Sequence, residues 1–464
     1  MLSFFPDRSL NRRAFLTVGS LGGLSLSHLL AAQALAEGRE KPITTGKSVI
    51  FLLQHGGPSQ FETLDPKLDV PDGIRTVGGA TQTAIPGIAL GATLERLAVQ
   101  AEKLAIVRSY RSGSNAHSTR PIIGEASLKA NMGTLYSRLA GTNHRGSGMP
   151  LNVTLYPNSV EPQALGADER FGKFTQTGPF GKSYEPFVPG GGSELQKNLK
   201  LALSPERLDN RKALLVALDR LKSKVDSSGT LAGIDKFRLQ AFEMVLQGVA
   251  KAFDLTQEDP RTLARYDTSA FVNETAYAHK TNGKVKRRWY QNNAQTLGKL
   301  LLLARRLCEA GCGFVTVTTR FVWDMHGDRN NLGVQQGMAA VGRPFDHAVS
   351  AFIEDCEARG LGDDILLVTT GEMGRTPRIN KNGGRDHWGG LTPLLMYGGG
   401  IRGGQVIGQS TRDGSKPLTA PYDSRNLLGT LMGQLFDIGE LRIKQGLPTD
   451  LVRYVSSAAP IQLD

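Results

Sequence analysis

Residues of metal-ligand type recur in short glycine-rich segments of the chain. They are His55 in QHGGPSQ, Asp324 and His326 in WDMHGD, Glu372 in GEMGRTPRIN, and Asp386 with His387 in GRDHW. Imidazole nitrogens and carboxylate oxygens together suit a divalent ion such as zinc, manganese or iron. The segments hold no cysteine, which argues against a structural zinc site of the cysteine type. A further segment, RSGSNAHSTR at 111–120, supplies Ser114, His117 and Ser118 as candidate catalytic groups. Arg375 is the preferred anion clamp, with Arg120 and Arg378 as alternatives, because a guanidinium fork matches a tetrahedral oxyanion. The chemistry this equipment allows is metal-assisted hydrolysis of a phosphate or sulfate ester. An ion would neutralise the nonbridging oxygens and acidify a bound water or hydroxyl. The alternative for the same residues is a polar network that fixes the loops, for example an ion pair between Asp386 and Arg375.

Those segments need rigid elements beneath them. Short continuous apolar runs at 48–53, 104–107, 151–155, 314–318, 365–369 and 393–397 read as buried strands, with helical patterns before or between several of them. This is the rhythm of an α/β sheet. Ligands of open α/β sheets bind outside the carboxyl ends of the strands, where successive loops converge. The segments carrying His55, His117, Asp324 and Glu372 follow such strands, and Trp323 and Trp388 stand ready to wall a crevice there. From about 200 to 312 the pattern is mainly helical. Ser204-Pro205-Glu206 forms an N-terminal signal, Leu214, Leu215, Leu218 and Leu221 make one stripe, and the Leu297 to Leu307 stripe enters the 314 strand through Gly311 and Gly313.

Composition narrows the class. With 464 residues, 40% hydrophobic and 21% charged, the chain folds around a large core and is not a disordered polymer. The formal charge of +12 raises nucleic acid as a partner. Its distribution excludes that reading: basic residues are scattered, and the densest run, Lys284, Lys286, Arg287 and Arg288, accompanies no nucleic-acid motif. The three cysteines, Cys308, Cys312 and Cys356, are an odd number and no disulfide framework; they read as small core residues.

Asn11-Arg12-Arg13-Ala14-Phe15-Leu16 resembles the twin-arginine export consensus and precedes a weakly apolar stretch to Leu35. Residues 1–36 are therefore expected to be a signal peptide, cleaved after Ala34-Leu35-Ala36 or alternatively after Ala32-Gln33-Ala34. An uncleaved anchor is the other reading. Residues 37–464 are expected to form the mature domain, delivered by the twin-arginine machinery to the periplasm or another extracytoplasmic space. No later segment has the ~18 uninterrupted apolar residues of a membrane span. Twin-arginine export carries proteins that are already folded, often with a cofactor in place, which fits a metal.

The motifs also carry a family resemblance. HGGPSQFETLDPK at 55–67, WDMHG at 323–327, GEMGRTPRIN at 371–380, GRDHW at 384–388 and GGGIRGGQVIG at 398–408 resemble the exported family catalogued as domain of unknown function 1501. That family is similar to the alkaline phosphatase and sulfatase superfamily. The resemblance implies a mostly parallel sheet between helices, with a helical insertion and a metal site of one or two ions, zinc or manganese, at the strand ends. His55 stands where the superfamily closes its first strand with an aspartate. Ser114, His117, Ser118 and Thr119 fall in the window of the usual nucleophile. Asp324 with His326 resembles the aspartate and histidine of one metal position, and His387 the final histidine. Glu372-Met373 replaces an Asp-His pair, keeping a carboxylate and losing a histidine. The implied substrate is a small anionic ester. A different class of reading is a catalytically degenerate fold that binds an envelope component or a partner protein. An oxidoreductase is a third reading, with no dinucleotide fingerprint or cluster-type cysteine spacing behind it.

Overall fold

The computed structural model describes residues 41–190, 249–272 and 284–463, with side chains from 287 onward in the last segment. The twin-arginine segment and the 204–221 helical pattern lie outside the described residues. All that follows belongs to the unit Thr44–Asp464.

The continuous apolar runs form strands because each is buried on both faces. In chain order the strands are β1 (Ser48–Leu53), β2 (Ala80–Gln82), β3 (Ala89–Gly91), β4 (Leu104–Val107), β5 (Asn152–Leu155), β6 (Phe314–Thr318), β7 (Ile365–Thr370), β8 (Gly374–Ile379), β9 (Arg385–Trp388), β10 (Leu394–Gly398) and β11 (Gln405–Ile407). Seven of them make one sheet in the order β11-β4-β10-β7-β1-β6-β5. β1 runs parallel to β6 and β7, β5 to β6, and β11 to β4, whereas β10 is antiparallel to both of its neighbours. The chain is thus an α/β protein built on a mostly parallel, mixed sheet.

Helices cover both faces of the sheet. On one side α2 (Lys284–Glu309) packs against β1, β6 and α3 (Arg343–Arg359). Ile50, Leu52, Val315, Val317 and Leu367 share a core with Leu300, Leu303, Leu307, Phe352 and Cys356 on that side. On the other side α1 (Met132–Ala140) and α4 (Ser424–Leu435) pack against β5, β6 and β1. Gly311, at a φ of 98°, takes the left-handed turn that joins α2 to β6. All three cysteines are free and buried. Among the described residues no helix is long and apolar enough to cross a membrane.

Register is what positions the site. Leu53 pairs with both Thr318 and Thr370, so β1, β6 and β7 end level and release their loops at one height. β10 begins opposite the last residue of β7, since Leu394 pairs with Thr370. The chain therefore leaves β7 and re-enters the sheet at the same end. The segment between them, expected as a loop, is the antiparallel hairpin β8-β9, and it lies at the carboxyl end of the sheet.

Candidate metal centre

Two glycines let the loops close on one another. Gly56, three residues beyond the end of β1, has a φ of 114°, and a Cβ there would lie 2.6 Å from the backbone nitrogen of Asp324. Gly384, entering β9, leaves room for the His326 carbonyl, which a Cβ would meet at 2.0 Å. The hairpin is then tied to the loop after β6. Asn380 Nδ2 donates to His326 O at 3.0 Å, and Arg385 N donates to Met325 O at 3.1 Å. Arg385 is fully buried. Its Nη2 bonds Glu62 Oε1 at 2.9 Å and its guanidinium lies 4.2 Å from the centre of the Phe61 ring, which anchors β9 to the loop after β1.

The result is a set of imidazoles around one carboxylate. Nε2 of His326 and of His387 stand 2.9 and 3.3 Å from Asp324 Oδ1, and Nε2 of His117 is 3.5 Å from Oδ2. The two Nε2 atoms of His326 and His387 are 2.9 Å apart. Ligand atoms of His117, Asp324 and His387 all lie within 4.8 Å of one another. The opposite ring nitrogens have acceptors of their own. Nδ1 of His117 meets Glu372 Oε1 at 2.8 Å, Nδ1 of His326 meets Asp386 Oδ1 at 3.1 Å, and Nδ1 of His387 meets the Asn115 carbonyl at 2.9 Å. An acceptor at Nδ1 assigns the proton of a neutral imidazole to that nitrogen and turns the Nε2 lone pair inward. Inward lone pairs facing a carboxylate at these separations are a donor set for a cation, so the residues present fit a divalent ion.

The electrostatics agree. Burial opposes ionisation of Asp324, yet the bonds from His117, His326 and His387 and the charge of Arg375 hold its carboxyl far below the usual carboxylate range. Burial also works against the His117 imidazolium, but Asp324 and Glu372 outweigh it and raise its pKa to about 9. His326 is raised mainly by its bond to Asp324. Asp324 thus favours positive charge at His117 and His326, where a cation fits.

Glu372 is buried and accepts the Gly56 N–H at 3.0 Å as well as His117, so it orients the ring from behind. Asp386 is largely exposed and serves His326 and Asn380, not Arg375. Arg375 is 1% exposed, and its donors are spent inside the protein. They go to the carbonyls of Gly56, Gly57 (2.8 Å) and Arg385 (3.1 Å), to Asp324 Oδ1 (2.8 Å) and toward His326. It braces Asp324 and the glycine turn. His55 is buried, with its ring 3.7 Å from that of Phe321 and its Nε2 on the Ser118 carbonyl at 3.2 Å, apart from the Asp324 cluster. Burial lowers its pKa and keeps it neutral. Ser114 Oγ accepts from Ala116 N at 3.2 Å and Ser118 Oγ from Arg120 N at 3.3 Å, so both hydroxyls support the loop that carries His117. Arg120 lines a separate cleft with Ser112, Asp423 and Arg425. Trp323 is buried edge-on to Phe345, and Trp388 Nε1 donates to Ser415 O. Asn115, Phe321, Glu62 and Arg385 join the site without having been singled out. Arg385, Glu62 and Asn115 carried a signal in their places inside GRDHW, HGGPSQFETLDPK and RSGSNAHSTR, whereas Phe321 carried none.

Comparison with curated proteins finds no match. Solved structures to which the chain is similar include Ps i-CgsB in complex with k-i-k-neocarrahexaose, at 11% identity and a TM-score of 0.32 over 89% of this chain and 77% of that one. The phosphonate monoester hydrolase SpPMH from Silicibacter pomeroyi matches at 12% identity and 0.33, over 90% and 78%. A TAB5 alkaline phosphatase mutant with Mg bound matches at 12% and 0.26, over 77% and 92%. The family model described as "Protein of unknown function (DUF1501)" matches residues 46–452, and the chain therefore belongs to the DUF1501 family.

Proposed function

We propose that the chain is an exported, divalent-metal-dependent hydrolase of small anionic esters, phosphate or sulfate. One observation carries this reading: three imidazole Nε2 atoms face Asp324 while each Nδ1 rests on an acceptor. The motif resemblance to the alkaline phosphatase and sulfatase superfamily supports the choice of ester. His117, His326, His387 and Asp324 would hold the ion, and a set dominated by imidazole favours zinc, with manganese the alternative. When bound, the ion supplies a Lewis acid for the ester oxygens and lowers the pKa of water.

The chain's own residues do the rest. Glu372, Asp386 and the Asn115 carbonyl hold the Nδ1 protons and fix the ring planes. Arg375 keeps Asp324 ionised and aimed. The buried rings of Phe321 and His55 exclude water from one side. Water is the nucleophile of this reading, because Ser114, Ser118 and Thr119 have no hydrogen bond to a basic side chain of the cluster among the described residues. The test is release of 4-nitrophenol from its phosphate and sulfate esters by the zinc- or manganese-loaded protein. Turnover abolished in Asp324→Ala supports the reading. No turnover with either metal on either ester overturns it and favours a binding role.

A further inference from the structure

We infer that Phe171 is a stacking platform that selects esters whose leaving group presents a flat ring face. This rests on the proposed hydrolase reading and adds a substrate class to it. Phe171 is 37% exposed while its ring packs on that of His117. Its ring centre lies 5.0 Å from that of His117 and 4.4 Å from that of Phe321, tilted by 55° and 59°. His117 in turn stands 4.4 Å from His387, centre to centre. Phe171 is thus the most exposed member of a ring cluster that includes Phe321 and the imidazoles of His117 and His387.

The platform is held in place. Asp168, buried three residues before it, takes Arg320 Nη1 at 3.0 Å and Arg170 Nη2 at 2.7 Å. The Arg170 guanidinium lies 5.7 Å from the centre of the Phe171 ring and 5.0 Å from that of Trp289. An anion at the Asp324 cluster would place the group it is attached to within reach of this exposed ring, and a flat π or C–H face gains from stacking there. A methyl group offers little area for the same contact.

The test is binding of phenylphosphonate and methylphosphonate to the metal-loaded full chain by calorimetry. The wild type is expected to bind the phenyl compound about three- to tenfold more tightly. Phe171→Ala should remove that preference and leave methylphosphonate affinity within about twofold, and Phe171→Tyr should restore it. Absence of a phenyl preference in the wild type, its survival in Phe171→Ala, or an equal loss for both phosphonates would overturn the inference. Neither compound is hydrolysed, so failure of the ester assay with the phenyl preference intact would count against the hydrolase reading and not against the platform.

Discussion

Glu372 Oε1 lies 2.8 Å from His117 Nδ1 and, in the same position, accepts the N–H of Gly56. One buried carboxylate thereby links the ends of β7 and β1 to a histidine supplied by the loop after β4. Strand register becomes ring orientation through this contact.

Replacing Glu372 tests that link. Glu372→Gln keeps an acceptor for Gly56 but loses the charge behind His117. Metal affinity is expected to fall about 10- to 100-fold with the fold retained, the usual cost of removing an orienting partner of a ligand histidine. Titration with a zinc-competing chromophore measures it; unchanged affinity would place Glu372 in a purely structural role.

Arg305 carries a separate prediction about stability. It is 1% exposed on α2 and pairs with Glu258 at 2.8 Å and Asp355 at 3.0 Å. Arg305→Met preserves bulk but leaves those buried carboxylates short of a cation, which is expected to cost about 3–5 kcal/mol. Urea unfolding reads the loss directly. A change below about 1 kcal/mol would show that Arg306 and Arg359, which also reach Glu258, suffice.

Asp346 sets a pH dependence away from the candidate metal centre. Its oxygens accept the N–H groups of Leu97 at 2.9 Å and Arg96 at 3.0 Å, yet burial dominates and raises its pKa from 3.8 to about 6. A raised carboxyl favours the protonated folded form. Its contribution is full below about pH 4 and is lost as pH rises through 6, up to about 3 kcal/mol at 1.36 kcal/mol per pH unit. Asp346→Asn should therefore gain stability relative to the wild type between pH 4 and 7. Parallel pH profiles for the two proteins would contradict the assignment.

Export is tested by Arg12→Lys with Arg13→Lys. The doubly substituted chain is expected to stay in the cytoplasm at precursor length, while the wild type is recovered outside it and shortened. Equal fractionation of the two would remove the twin-arginine reading and leave the candidate metal centre untouched.

Much of the sheet was legible because buried strands write themselves as apolar runs. β1, β4 and β6 fall on the residues the runs mark, and β5, β7 and β10 differ by a residue at one or both ends. β11 was missed: it is a three-residue edge strand, only half buried, with too little apolar signal. The direction of β10 could not be read either, since burial on both faces looks the same whichever way a strand runs. That single reversal turns the polar GRTPRI and RDHW segments into a hairpin over the site, although Pro377 marks the first as loop-like. At the site, residue types pointed to the ligand-bearing loops but not to partners. Spacing could not show that Arg375 spends its donors on backbone carbonyls and Asp324, or that His55 turns its ring onto Phe321. Those outcomes depend on which loops the register brings level.

Asp324 and its surrounding imidazoles are proposed to hold a divalent ion. The most direct test is metal content by mass spectrometry of the full chain purified after zinc or manganese loading, beside Asp324→Ala with His387→Ala. About one ion per chain, lost in the doubly substituted protein, is the predicted result. A wild type that retains no ion, or a variant that retains it undiminished, would show that Asp324 and His387 hold none.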